Sequence, residues 1–407
     1  MRRMSILIGL LITAAACVGE APAFHRVEGQ ASLDHVEVHG LETGEFNPDL
    51  WVNGAFHILP DARHPLLAPG ASGLFRNIYA PSAAPLPEGW RLFYGAWDGV
   101  DDSHDRIYSV YTGDFLDFSE REIVIDHGAF HHVCNVNAFR REDGGFEMMC
   151  TAYPDAGGNN KPAYFTSPDG ETWNGEPAPY APTMDDLIRI DGYEPFEDAD
   201  INGTNVILRE GDALRLYFNN FHDMGQVYRA TSTGGDFIFE GAVLETPALV
   251  NDVTKFRADG EDWYLMGLHR NTQNLWYAVS NDGLDFGEQH ELAQYLDDED
   301  YYIVAHGWVA RDNRLLGYLY GAGEVGALNR NRIFARWLQR RVVFETGDGR
   351  EFEAERALGP DRALIAVPRG EELEGRFQLY AEDGQTPIGQ PAPARIHGGQ
   401  IWRVEAE

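Results

Sequence analysis

Five stretches of the 407-residue chain place polar or acidic side chains at the head of an apolar, alternating run: Pro81-Ser82, Asn135 with Asn137, Asp200 with Asn202, Asn251-Asp252, and His306. A carboxylate or amide buried without a partner is costly, so such groups must face a cavity, pair with one another or ligate something. Acids and an imidazole gathered from distant stretches suit acid–base chemistry, in which one group donates a proton and another takes one from water. A second set follows the next apolar strand of each stretch: Trp97-Asp98, Asn219-Asn220-Phe221-His222, His269-Arg270-Asn271 and Gly323-Glu324. Aromatic rings and amides there suit stacking on a sugar ring and bonding to its hydroxyls. His131 and His132 each read as structural rather than catalytic.

The elements that must position these residues belong to a repeat. Its clearest copy is Asn274-Leu275-Trp276-Tyr277-Ala278-Val279-Ser280-Asn281-Asp282-Gly283-Leu284-Asp285-Phe286. It reads as an alternating strand, a tight turn, and an aromatic that returns to the core. Related units end at Thr112 (closing on Asp117-Phe118), at Ser167 (Ser167-Pro168-Asp169-Gly170, closing on Trp173) and at Ser232 (closing on Phe237). A fifth strand, Ile333-Phe334-Ala335-Arg336-Trp337, lacks the turn. The anchors Thr112, Ser167, Ser232 and Ser280 are 55, 65 and 48 residues apart. Repeats of that length, each a small antiparallel sheet arranged radially, predict an all-β, five-bladed β-propeller over residues 75–340.

The flanks read differently. Residues 1–23 combine a basic start, Met1-Arg2-Arg3, with an apolar stretch too short to span a bilayer, as an export signal does. Ala14-Ala15-Ala16-Cys17 resembles a bacterial lipoprotein cleavage box, with Ala14 where leucine is usual; a lipid on Cys17 would tether an otherwise soluble, periplasmic or secreted protein. Residues 24–74 are irregular and are expected as an arm on the propeller. The insertion 174–197, rich in Pro and acids, is expected as a lid or rim. Beyond 341 the repeat gives way to alternating runs with Asp-Gly turns, expected as a small β-sandwich-like domain.

Composition excludes some partners. A formal net charge of −33 argues against nucleic acid and anionic membranes, and disfavours polyanionic polysaccharides. Cys134 and Cys150 lie eight residues either side of Glu142, beside the turn signal Asp143-Gly144-Gly145. That symmetry admits a cross-strand disulfide; two buried thiols are the alternative. No CxxC or HxxxH spacing accompanies them to suggest a metal.

The five-blade count, the Ser-x-Asp-Gly turns, the inner-strand acids and the trailing β-domain resemble the five-bladed β-propeller glycoside hydrolases, namely the arabinofuranosidase/xylosidase (family 43), fructosidase (family 32) and neoagarobiose hydrolase (family 117) groups. The resemblance spans about 78–341. It implies an axial pocket that removes a terminal sugar from an oligosaccharide or polysaccharide by water attack, with inversion as the default outcome. By position it implies Asp200 and Asp252 as the carboxylates. The acid is Glu324 on the xylosidase-like pattern or His306 on the neoagarobiose-like one. Substrate contacts fall on Trp97, Asp98, Asn137, Asn202, His222, His269 and Arg270. No cofactor is required, although a structural divalent cation such as calcium near His306 is compatible. The sequence departs from the family-43 pattern at Pro81-Ser82 and at Asn135, where a carboxylate is expected. A non-catalytic carbohydrate-binding propeller and a glycoside phosphorylase of similar fold therefore stay open.

Overall fold

Alternation in the repeats becomes strand pairing in each of five antiparallel sheets. A computed structural model describes residues 22–68, 75–98, 104–154, 159–324 and 330–405. Cys17 and the leader fall outside this range, as does the side chain of Asp98. Blade one comprises Phe75–Pro85, Trp90–Asp98, Arg106–Thr112 and Glu122–Ile125, and blade two His132–Arg140, Phe146–Tyr153 and Lys161–Ser167. Blade three is Ile201–Glu210, Ala213–Asn220, Gln226–Ser232 and Phe237–Glu245; blade four is Leu249–Ala258, Glu261–His269, Asn274–Ser280 and His290–Gln294. Blade five runs Tyr302–Arg311, Arg314–Gly323 and Arg332–Leu338. The first strands of neighbouring blades pack on one another all the way round, closing the ring from blade five to blade one. The expected five-bladed propeller is thus the observed fold.

The repeated turn ends the third strand of a blade, and its chemistry is local. Ser167 Oγ accepts the Gly170 N–H at 2.6 Å and Ser280 Oγ the Gly283 N–H at 3.0 Å. Asp169 Oδ1 accepts from Glu171 and Thr172, and Asp282 Oδ1 from Leu284 and Asp285, at 2.7–2.9 Å. Gly170 and Gly283 sit at φ +83° and +68°, a region that only glycine enters without strain. Trp173, Phe237 and Phe286 then return to the core as expected. In blade one the buried aromatic is Phe115, whose N–H caps Thr112 Oγ1 at 2.8 Å, while Phe118 is only partly covered.

Blade five has no such turn because its fourth strand comes from the start of the chain. Ile58–Pro60 pairs antiparallel with Arg332–Leu338, joining Leu338 to Ile58 and Arg336 to Pro60. The buried Asp61 fixes this closure: it accepts from Trp337 Nε1 at 2.7 Å and from the Gly359 N–H at 3.0 Å, and pairs with Arg63 at 2.8 Å. The N-terminal residues are thus more than an arm. Ala23–Val27 and His35–His39 also enter an eight-stranded C-terminal sheet, whose core is continuous with blades one and five. Within that sheet Glu351–Ala357 pairs first with Val342–Thr346 and then, past a bulge, with Arg362–Ala366.

One expectation is corrected and one open alternative is decided. Residues 174–197 line neither axial cavity; they lie along the outside of blades two and three, where Ile190–Asp191 pairs parallel with Phe237–Glu245, and they bury Tyr180, Ile190, Tyr193 and Phe196. Cys134 and Cys150 are buried free thiols. Their hairpin turns about Asp143 rather than Glu142, pairing Arg140 with Phe146, and a bulge then sets Cys134 opposite Thr151.

Removing the Asp61 carboxylate would leave the Arg63 guanidinium, Trp337 Nε1 and the Gly359 N–H without their acceptor. Asp61→Ala should lower unfolding free energy in urea by about 3–5 kcal/mol. A loss below about 1 kcal/mol, the scale of an exposed ion pair, would place the closure elsewhere.

Candidate functional site

The first strand of every blade carries a register break at the same depth: between Tyr79 and Ser82, Cys134 and Asn137, Asn202 and Val206, Val250 and Asp252, and Ile303 and Ala305. A bulge adds a residue and re-aims the side chains beyond it. Residues before and within the break line one axial cavity, and most of those after it line another. The smaller cavity, about 300 Å³, receives Asn77, Tyr79, Asn135 and Asn202; the larger, about 620 Å³, receives Ser82, Asn137, Asp252 and Trp308.

Between the cavities the polar residues singled out in the sequence serve the backbone. A first strand has a sheet neighbour on one side only, so some of its amides lack a ladder partner. Ser82 Oγ accepts from the Ala138 N–H (3.0 Å) and Asn137 Oδ1 from the Ile207 N–H (2.9 Å). Asn219 Oδ1 accepts from the Val250 N–H and Asp252 Oδ2 from the Trp308 N–H, both at 2.8 Å. Asp252 Oδ1 also takes the Asn137 amide at 3.2 Å. Burial pushes the Asp252 carboxyl up to about 6, against the pull of those N–H bonds.

The predicted carboxylates are not brought together. Asp252 lines the larger cavity. Asp200 lines neither; its Oδ1 accepts from the Asn160 backbone and amide at 3.1 and 2.6 Å, tying blade two to blade three. Glu324 is exposed and pairs with Arg332 at 2.9 Å. His306 is buried, edge-on to Trp308, and so close to Gly267 that a Cβ there would lie 1.9 Å from Nε2; burial takes its pKa down to about 3. Among the predicted contact residues, Trp97, Asn202 and His269 line the smaller cavity and Asn137 the larger. His222 is exposed, bonded to the Asp198 carbonyl, and Arg270 is exposed over the Trp276 ring at 4.7 Å. Packed against His306 are Gly267 and the rings of Trp308 and Tyr318. Among the described residues, the one group of His, Cys, Asp and Glu whose ligand atoms gather is His64, Asp297 and Asp300, in neither cavity.

What sequence reasoning missed is Asp105. It precedes the third strand of blade one, outside the aligned slots, and projects into the smaller cavity at 4% exposure. Tyr79 donates its hydroxyl to Oδ2 at 2.8 Å, whereas Oδ1 has no protein partner. The Asp105 N–H donates to His132 Nδ1 at 3.0 Å, which fixes the His132 proton on Nε2 in the neutral ring. Burial pushes the Asp105 carboxyl up to about 7, only partly opposed by Tyr79. Tyr153 donates to Asn202, while Trp97 and Phe221 supply aromatic wall. The signal available was His104-Asp105-Arg106 heading an alternating run, like the slots that were read. Chemically this is a carboxyl that keeps its proton up to about pH 7, held by one oxygen and free at the other, inside a polar and aromatic cavity.

No family model matches the chain, and no curated protein matches it. Among solved structures, a candidate glycosidase from Bacteroides thetaiotaomicron VPI-5482 superposes with a TM-score of 0.50 at 16% identity, covering 72% of this chain and 99% of that one. The α-L-arabinofuranosidase PaAbf62A from Podospora anserina, in complex with cellotriose, follows at 0.49 and 12%, with 70% and 96% covered. A Bombyx mori GH32 β-fructofuranosidase stands at 0.47 and 13%, with 88% and 93% covered. At these identities the likeness to the first establishes a shared propeller fold.

Asp105 ties stability to pH. Its pKa rises from an ordinary 3.8 to about 7 on folding, so its contribution is full below about pH 4 and is lost as pH rises through about 7. Asp105→Asn should remove this decline: relative to wild type, its melting temperature should climb between about pH 4 and 7 and then level. A flat difference across that range would show that Asp105 ionises normally.

Proposed function

We propose that the chain is an exported, exo-acting glycoside hydrolase that removes a terminal sugar from an oligosaccharide or polysaccharide at the smaller cavity. The observation that carries this reading is Asp105, a buried acid protonated near neutral pH, with Oδ1 unpartnered in a cavity walled by Trp97, Phe221 and amides. The propeller fold is compatible with it.

In this reading Asp105 donates its proton to the glycosidic oxygen as that bond breaks. Water adds to the anomeric carbon, and a base at the rim takes the water's proton. Tyr79 holds Oδ2 so that the proton resides on Oδ1, and it stabilises the carboxylate left behind. Glu324, which follows the second strand of blade five and pairs with Arg332, is the described carboxyl assigned to the base. No cofactor enters the step.

Two other classes compete. Phosphorolysis needs cationic groups around phosphate, and no Lys or Arg is among the described residues lining the smaller cavity. A binding propeller is favoured by a different observation: Asp105 is the one carboxylate among those described lining residues.

Sugar release from aryl glycosides and from plant and algal oligosaccharides, without added phosphate, tests these readings. Asp105→Asn should lower kcat/KM by about 10²–10⁴-fold. Loss in Asp252→Asn with activity kept in Asp105→Asn would move the chemistry to the larger cavity. Binding without release on any substrate would leave a carbohydrate-binding propeller.

A further inference from the structure

Each blade turns one carboxamide into the smaller cavity: Asn77, Asn135, Asn202, Asn271 and Asn331. Four of the five are engaged within the wall: Asn135 Nδ2 donates to the Tyr153 hydroxyl at 3.5 Å, and Asn271 bonds to His269. Asn202 accepts from the Tyr153 hydroxyl, and Asn77 Oδ1 takes the Asn331 N–H at 2.7 Å. Asn331 differs. It is 1% exposed, yet neither its Nδ2 nor its Oδ1 has a partner in the protein. Its backbone is pinned at the seam between blades, since its carbonyl also accepts from the Ile78 N–H at 3.2 Å. The side chain is therefore held in place while its hydrogen-bonding capacity stays unspent.

Three other atoms on the same wall share this condition: Trp97 Nε1, Asp105 Oδ1 and His269 Nδ1. Buried polar atoms are nearly always bonded, so a group that enters here must satisfy them. Trp97 Nε1 and Asn331 Nδ2 require acceptors, and Asn331 Oδ1 requires a donor. A hydroxyl is both at once. Charge narrows the choice further. No Lys or Arg is among the described lining residues. Burial holds His269 neutral, with a pKa down to about 4. An anion in this cavity would lose water beside Asp105 and gain no counter-charge.

Resting on the glycosidase reading, we infer that the smaller cavity accepts an uncharged, hydroxyl-rich terminal sugar and rejects uronic acids and sulfated sugars, with Asn331 reading one of its hydroxyls. Asn331 is then a specificity-determining residue. It lies far in sequence from Asp105, which supplies the proton.

Binding, measured by calorimetry or saturation-transfer NMR, tests this without relying on turnover. The probes are neutral pentoses and hexoses beside glucuronate, galacturonate and a sulfated monosaccharide, at low salt. At least one neutral sugar should bind, and its anionic counterpart should bind about tenfold more weakly or not at all. Asn331→Leu removes no protein hydrogen bond from the side chain, so it should melt as wild type does. It should weaken the neutral sugar by about three- to tenfold, the scale of one lost hydrogen bond. Trp97→Phe, which keeps the ring and deletes the donor, should weaken it similarly and serves as the test if Asn331→Leu does not fold. Anionic sugars binding as tightly as neutral ones would overturn the inference and leave the glycosidase reading standing, as would substitutions without effect. Binding of no sugar at all would overturn both.

Discussion

The constraint on which this molecule depends is the unpaired inner edge of each blade's first strand. Five strands side by side around an axis cannot hydrogen-bond to one another as a sheet does. The chain meets this with a relay, in which a polar group of one blade accepts a backbone N–H of the next. Ser82 serves Ala138, Asn137 serves Ile207, Asn219 serves Val250, Asp252 serves Trp308, and the Asn331 carbonyl returns to Ile78. An unmet buried donor costs about 1–3 kcal/mol, so the relay accounts for polar residues buried along the axis. Because it is cyclic, it has no terminal member.

The relay lies beside the bulges, and together they divide the axis. Beyond the bulges Asn137, Asp252 and Ser82 are committed to backbone. Around the smaller cavity Asn331, Trp97, Asp105 and His269 each retain an unspent atom. On this division rests the proposal that the chemistry lies in the smaller cavity, although the larger one offers more space and a carboxyl with a raised pKa of its own. Asp252 is an acceptor whose hydrogen bonds hold blades two, four and five; Asp105 has an oxygen to give.

Closure of the ring extends outward. Ile58–Pro60 completes blade five and Asp61 locks it, so the first and last parts of the chain meet on one blade. The N-terminal strands then join the C-terminal sheet, whose core runs into blades one and five. The acidic excess, −33 overall, surrounds a cavity whose described lining carries no Lys or Arg and a single carboxyl protonated near neutral pH. An exterior that repels anions and an interior that cannot neutralise them act in the same direction.

By itself the sequence determined the repeat, the blade count and the turns, because Ser167-Pro168-Asp169-Gly170 and Ser280-Asn281-Asp282-Gly283 bond within their own few residues. It also marked Trp97, Asn202 and His269, which end or begin strands on the face where the smaller cavity opens. Only the tertiary structure decided which polar residues were free to act. Asp200 and Asp252 look like catalytic acids in sequence because a carboxylate that caps a neighbouring blade's N–H and one that faces a ligand occupy the same kind of slot. What separates them is a bulge that moves a side chain from one cavity to the other, and a partner 40 or 56 residues away. Asp105 was hidden for the same reason: its environment is made by Tyr79, 26 residues earlier, and His132, 27 residues later. Turn chemistry is local and can be read along the chain, whereas burial and the unsatisfied valence of a buried atom arise only when distant strands meet.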